Sequence, residues 1–279
     1  MTPIHSSFHR PKPPQNVMNS SDSLDYDTYV ENGGEGVIGR LFKFCVTWKD
    51  EPVSRLWTTC KLCQSFLAFC CPHSQKHLTS KPCHQYHLCF TDGACLNNGQ
   101  SGSRAGIGGA LGESEADQWA IPIDDSIDPD GKRSSQRAEL LAAIEGLRRL
   151  STANYDHGVT PRPHPGQEGN PDSCWIIATD SEYVCNGISQ WIYKWQVREP
   201  SSPMNNDYKK NPYLIQANNW LTRSGTKPSN LDLFLRLHHD ILSYERDQNI
   251  RIGFWKVNRR DNEIADGLAK EAANLARWV

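Results

Sequence analysis

At 279 residues the chain has room for one large domain, or for a domain of about 150–180 residues with extensions. Its composition, 37% hydrophobic and 22% charged, suits a globular protein, and no run approaches the ~18–20 apolar residues of a membrane span. A formal net charge of −2 gives no global basic signature, so nucleic-acid binding would have to rest on local features. No hydrophobic signal-peptide region follows the start, which points to an intracellular protein of nucleus or cytoplasm. The ten cysteines do not read as a disulfide framework. Most fall from Cys45 to Cys89, a clustering that fits a metal site or reduced thiols.

Residues 1–35 are rich in Pro, Ser and Asn, then acidic, and read as a disordered segment. Their first twenty residues carry His and Arg but no acid, as a mitochondrial presequence would. Pro11, Pro13 and Pro14 disfavour the amphipathic helix that it needs. Residues 36–85 form a small Cys/His-rich region: Cys60-x-x-Cys63, then Cys70, Cys71, His73, His77, Cys83 and His84. Two soft ligands three apart, followed by more, fit a structural Zn²⁺ held by Cys60, Cys63, Cys71 and Cys83. Buried thiols among Leu62, Phe66, Leu67 and Phe69 are the alternative.

From Tyr86 the pattern becomes regular. Leu88–Asp92 reads as a short strand ending on an acid, and Arg104–Leu111 and Gln118–Ile123 as two more. Leu140, Ile144 and Leu147 mark a helix capped by Ser134 or Ser135. Residues 151–173 read as a surface loop, and Trp175–Ala178 as a buried strand before Asp180. Val184, Ile188, Trp191, Ile192 and Trp195 give a strong helical stripe, and residues 197–218 a polar insertion. Leu231, Phe234, Leu235 and Ile241 predict another helix, Ile250–Val257 a strand, and Ile264, Leu268 and Leu275 a final helix. The order βββ-α-β-α-α-β-α describes an α/β domain over 86–279 with a five-stranded mixed sheet flanked by helices.

Asp92 and Asp180 stand at strand ends, Glu139 in a first helical turn and Asp266 near a helix start. Open α/β sheets commonly place their sites at such positions. Converging carboxylates repel one another unless a cation lies between them, and hard oxygen ligands suit Mg²⁺ or Mn²⁺. Two such ions, about 3.5–4 Å apart, can activate a water and stabilise a leaving oxygen in phosphoryl displacement. Any one of these acids alone reads equally well as a cap or a solvated turn residue.

Four ordered motifs go further. Thr91-Asp92-Gly93-Ala94-Cys95 with Asn98-Gly99 and Arg104–Gly108, then Ser135–Glu139, then Thr179-Asp180-Ser181 with Gly187–Ile192, then Asn262–Ala269, together resemble the type 1 ribonuclease H family. The resemblance implies the ribonuclease H-like fold and hydrolysis of the RNA strand of RNA–DNA hybrids to 5′-phosphate and 3′-hydroxyl ends. It makes Asp92, Glu139, Asp180 and Asp266 the ligands of two metal ions. Asn98 and Gln136 fall where relatives contact RNA 2′-hydroxyls, a role an amide can fill as both donor and acceptor. Trp220, with Lys227, Pro228 and Asn230, resembles the basic protrusion that holds the DNA strand. Residues 192–228 hold six bases against two acids, a local excess of four that can grip phosphates.

One departure stands out. Where many relatives carry a histidine before the last helix, this chain has Val257-Asn258-Arg259-Arg260-Asp261. A catalytically weak or inactive hybrid-binding protein that keeps the fold is the second reading, and retention of all four acids speaks against it.

Overall fold

The computed structural model describes residues 36–44, 48–61, 63–69, 86–129, 131–156, 174–195, 220–222 and 224–276. Residues 1–35, most of the 151–173 stretch and the 197–218 insertion lie outside them. Nine strands form one sheet: β1 (Gly36–Ile38), β2 (Leu41–Lys43), β3 (Trp57–Thr59), β4 (Phe66–Ala68), β5 (Tyr86–Leu96), β6 (Arg104–Ala110), β7 (Gln118–Pro122), β8 (Cys174–Thr179) and β9 (Arg251–Lys256). The helices are α1 (Ser135–Asp156), α2 (Glu182–Asn186), α3 (Ile192–Trp195), α4 (Leu231–Gln248) and α5 (Glu263–Leu275). A π-helical turn, Gly187–Trp191, joins α2 to α3. No helix among the described residues is long and apolar enough to cross a membrane.

Five strands, in the order β7-β6-β5-β8-β9, make the expected mixed core. β5 runs parallel to β8 and β8 to β9, whereas β6 is antiparallel to both β5 and β7. β8 is buried along its whole length, so it reads as a continuous apolar run rather than an alternation. One face packs Leu140, Leu147, Phe234 and Ile241 against Trp175, Ile177 and Phe254. The other packs Phe90, Ile176 and Trp255 with Val37, Phe42 and Phe66 from the front of the chain.

The count of five strands is extended to nine by that front stretch. β1 and β2 form a hairpin whose Leu41 pairs with Phe254 at the β9 edge. β3 and β4 form another, and Leu67 pairs with His87 at the start of β5. Sheet edges carry unpaired N–H and C=O groups, and both hairpins cover such groups. Arg40, at the β1–β2 turn, fastens its hairpin by an ion pair to Glu245 of α4, whose carboxylate also accepts from Ile252 N.

Two boundaries and the placement of Glu139 differ from the sequence reading. β5 runs on to Leu96, because Gly93–Leu96 pair with Arg104–Ile107; Asp92 therefore sits mid-strand instead of ending it. α1 continues to Asp156, into the segment read as loop. Ser134 caps α1 by accepting from Arg137 N, so Glu139 lies one turn inside the helix.

Close approach of helices to strands depends on glycine, as Gly93 and Gly108 show. A Cβ at Gly93 would lie 2.2 Å from the backbone of Ala138 and Glu139, and one at Gly108 would lie 2.3 Å from Ala269 N. The backbone cannot yield as a flexible side chain would. Gly93→Ala is expected to cost on the order of 3 kcal/mol in urea unfolding. Gly99→Ala, in open space at φ +78°, should cost only about 1 kcal/mol of backbone strain. Equal losses for the two would remove the packing argument.

Candidate active site

Three of the four predicted acids converge. Asp92 projects from β5, Glu139 from α1 and Asp180 from the turn after β8, and one carboxylate oxygen of each lies within 4.8 Å of the others. Asp92 is 5% exposed, while Glu139 and Asp180 are half-buried. The turn holding Asp180 is fixed on both sides. Ser181 N donates to Thr179 Oγ1 at 3.1 Å, and Ser181 Oγ caps α2 by accepting from Val184 N.

Electrostatics follows from crowding. Burial is the largest cause lifting the Asp92 carboxyl to about 7, and the charges of Asp180 and Asp266 add to it. Burial, then Asp92 and Asp180, also push Glu139 well above the ordinary carboxyl range. Glu139 Oε2 is buried with no hydrogen-bond partner. A buried carboxylate oxygen without a donor, beside two more carboxylates, fits a hard divalent cation. Among the described residues this is the one cluster of three or more His, Cys, Asp or Glu side chains suited to a metal.

Asp266 stands apart from the three. Its charge is felt at Asp92, but its oxygens accept from Lys270 of its own helix and, at 3.0 Å, from Arg259 Nη2. Burial alone would raise its carboxyl; those hydrogen bonds outweigh burial and hold it below the ordinary value.

In the sequence Asn262 stands out only as part of a motif, not as a single residue. It is 1% exposed, and its Nδ2 donates to Thr91 O at 3.1 Å and to Asp180 Oδ1 at 3.2 Å. One amide thus ties the Asp180 carboxylate to the strand residue preceding Asp92. Burial beside the acids was the signal, and a neutral amide at a helix start does not announce burial.

The predicted substrate residues divide. Asn98 is exposed, and its Oδ1 accepts from Ser135 N at 3.3 Å, placing it against the helix end that bears the exposed Gln136. Asn230 caps the start of α4 in a left-handed conformation, and its side chain is engaged by Tyr183 and Arg137. Arg137 also grips Asp128 and Asp232, so α1, α4 and the loop between β7 and α1 share one ionic cluster. Trp220 is half-buried and packs against the main core. Cys60 is buried and Cys63 half-buried around the β3–β4 turn. Cys71 and Cys83 lie outside the described residues.

A cavity of about 190 Å³ lies between Val53, Ser54 and Trp57 of the front stretch and Arg260–Ile264, and none of the four acids lines it. The carboxylates therefore sit outside this cavity.

Residues 84–274 match the family described as RNase H. The chain belongs to the ribonuclease H family. Ribonuclease HI of Haemophilus ducreyi is 30% identical over 192 residues, which cover 66% of this chain and 88% of that protein. Human ribonuclease H1 is 26% identical over 189 residues, 66% of this chain and 49% of the human protein, so the chain spans about half the length of that relative. Among solved structures, the N-terminal ribonuclease H domain of a Mycobacterium tuberculosis protein, fused to maltose binding protein, is 18% identical. The match covers 67% of this chain and 98% of that one, with a TM-score of 0.37.

The crowded acids have a consequence for stability. An Asp whose carboxyl is raised from ~3.9 when unfolded to about 7 when folded favours the fold fully only below the lower value. That contribution is lost as pH rises through about 7. In chelator, Asp92→Asn should therefore raise the melting temperature at pH 8 by several degrees, on the order of 5 °C, and by much less near pH 4. A pH-independent difference would show that the carboxylates do not repel as their geometry implies.

Proposed function

We propose that the chain is an endonuclease that hydrolyses the RNA strand of RNA–DNA hybrids with the help of divalent metal ions, Mg²⁺ or Mn²⁺. The observation that carries this is the convergence of Asp92, Glu139 and Asp180 around an unpartnered carboxylate oxygen, in a chain of the ribonuclease H family. Asp92, Glu139 and Asp180 would hold the ions, with Asp266 completing the set. Such ions, two per site, supply an activated water and charge stabilisation at the transferring phosphate.

The remaining work falls to the protein. Asn262 fixes the Asp180 carboxylate, and the Gly93 contact fixes Glu139 opposite Asp92. Positions held by packing and hydrogen bonds need no rearrangement during reaction, which is how preorganised sites lower barriers. In the hydrolysis, water oxygen bonds to phosphorus, the bond to the 3′-oxygen breaks, and that oxygen takes a proton. The products are a 5′-phosphate and a 3′-hydroxyl. Asn98 and Gln136, brought to the same end of α1, are suited to read 2′-hydroxyls on the strand to be cut. Support for a nucleic-acid partner also comes from the excess of four positive charges over residues 192–228.

The test compares wild type with Asp180→Asn on a labelled hybrid, with and without Mg²⁺. Wild type should cut only with metal, and the variant should lose at least about a hundredfold in rate while still binding the hybrid. Failure of wild type to cut in Mg²⁺ or Mn²⁺, with binding retained, would replace this reading by that of a hybrid-binding protein.

A further inference from the structure

The proposed nuclease chemistry leaves Cys60 and Cys63 unused. Both stand on the turn between β3 and β4. That turn is closed twice by its own backbone: Cys60 N donates to Ser65 O at 2.9 Å, and Gln64 N to Cys60 O at 2.8 Å. Gln64 takes the left-handed conformation, φ +60°, which residues other than glycine seldom adopt. The reversal holds two cysteines, three apart, within a single turn. It is also braced from outside, because Gln64 O accepts from Glu113 N at 3.3 Å and the Glu113 carboxylate accepts from Thr59 Oγ1 at 2.8 Å.

Surroundings separate these two from the other described cysteines. Cys89, Cys174 and Cys185 are buried within the two apolar cores, and Cys95 packs against one of them. Cys60 is 0% exposed, yet among the described residues it belongs to neither core. Cys63 is half-buried on the same turn, between the exposed Lys61 and Gln64. A thiol kept only as a small apolar side chain belongs in a core. Two thiols on a fixed polar turn, away from the cores, suit a metal that takes soft ligands.

We propose that this turn is a structural zinc site, with the Cys60 and Cys63 thiolates as two of its four ligands. Structural Zn²⁺ is held by a closed set of four S or N ligands, in which a C-x-x-C pair recurs. The sequence carries six more Cys and His over 70–84, between β4 and β5 and outside the described residues. On binding, each thiol gives its proton to solvent and nothing is oxidised or reduced. The ion pins a hairpin whose strands are three residues long and whose Phe66 packs on Phe90, two residues before Asp92. It is separate from the ions at the acids and does not depend on the nuclease reading.

The full chain is purified in reductant and dialysed against excess Mg²⁺, which clears zinc from the carboxylates. Metal content is then measured for wild type, Cys95→Ser and the double variant Cys60→Ser/Cys63→Ser. Wild type and Cys95→Ser should keep about one zinc per chain, and the double variant at least about tenfold less. Exchange of zinc for Co²⁺ in wild type should give a thiolate-to-cobalt charge-transfer band, which carboxylate ligands do not produce. Zinc removal should lower the melting temperature by on the order of 5 °C. Wild type that holds no zinc even after incubation with Zn²⁺ in reductant, or a double variant that keeps it, overturns the proposal. An unshifted melting temperature overturns the structural role. Should the double variant not fold, the wild-type Co²⁺ spectrum decides, and absence of the thiolate band overturns the site.

Discussion

The backbone of α1 lies against β5 so closely that a single added carbon at Gly93 would overlap Ala138 and Glu139. Much of the site geometry depends on this contact. Asp92 precedes Gly93 on the strand and Glu139 follows Ala138 on the helix, so the glycine sets the spacing between the two carboxylates. A larger residue would separate them and relieve their repulsion, which is what ordinary packing would favour. Instead Leu140 and Leu147 of α1 are fully buried in the core with Ile177 and Phe254. Burial of such side chains, at roughly 25 cal/mol per Å², offsets the cost of holding like charges together. The protein thus sustains a destabilised cluster with packing from outside it.

The front of the chain bears on the same constraint from the other face. β3 and β4 join the sheet beside the start of β5, and Phe66 packs edge-on against Phe90, two residues before Asp92. β1 and β2 extend the sheet at β9, the strand that leads into the Arg259 turn. Each hairpin has three-residue strands, too short to be stable by themselves. They gain order by adding to a sheet that is already formed. That sheet in turn loses its exposed β9 edge, and the start of β5, the strand that carries Asp92, gains a partner.

What was legible in the sequence had periodicity or a motif behind it. β8 and the helices with buried stripes declared themselves, and the acids stood within ordered motifs. β1 to β4 did not, since three residues give no alternation to count, and what they pair with is distant in sequence. The extension of β5 beyond Asp92 was hidden because Gly93, Ala94 and Cys95 look like a turn and become strand through pairing with β6. On α4 the buried residues include Leu233 and Leu237, whereas Leu235 is only half-buried. A one-residue shift in the assumed face accounts for that difference. Asn262 and Arg259 were unreadable for another reason: each acts through an oxygen of a distant or later carboxylate, and only the fold brings those atoms together.

The position of the acids also bears on what they can act upon. The cavity of about 190 Å³ beside Arg260–Ile264 is lined by none of the four acids. They stand where three elements end or meet: mid-β5, one turn into α1, and the turn after β8. Under the proposed function, the substrate that meets these acids is a long, regular duplex. Near-neutral total charge is compatible with this, because the acids themselves offset bases elsewhere, and phosphates respond to the local field. In the proposed function, the acids and the excess of positive charge in the 192–228 sequence would have complementary roles. Divalent cations at the acids would offset phosphate repulsion there, while basic side chains would engage phosphates elsewhere on the duplex.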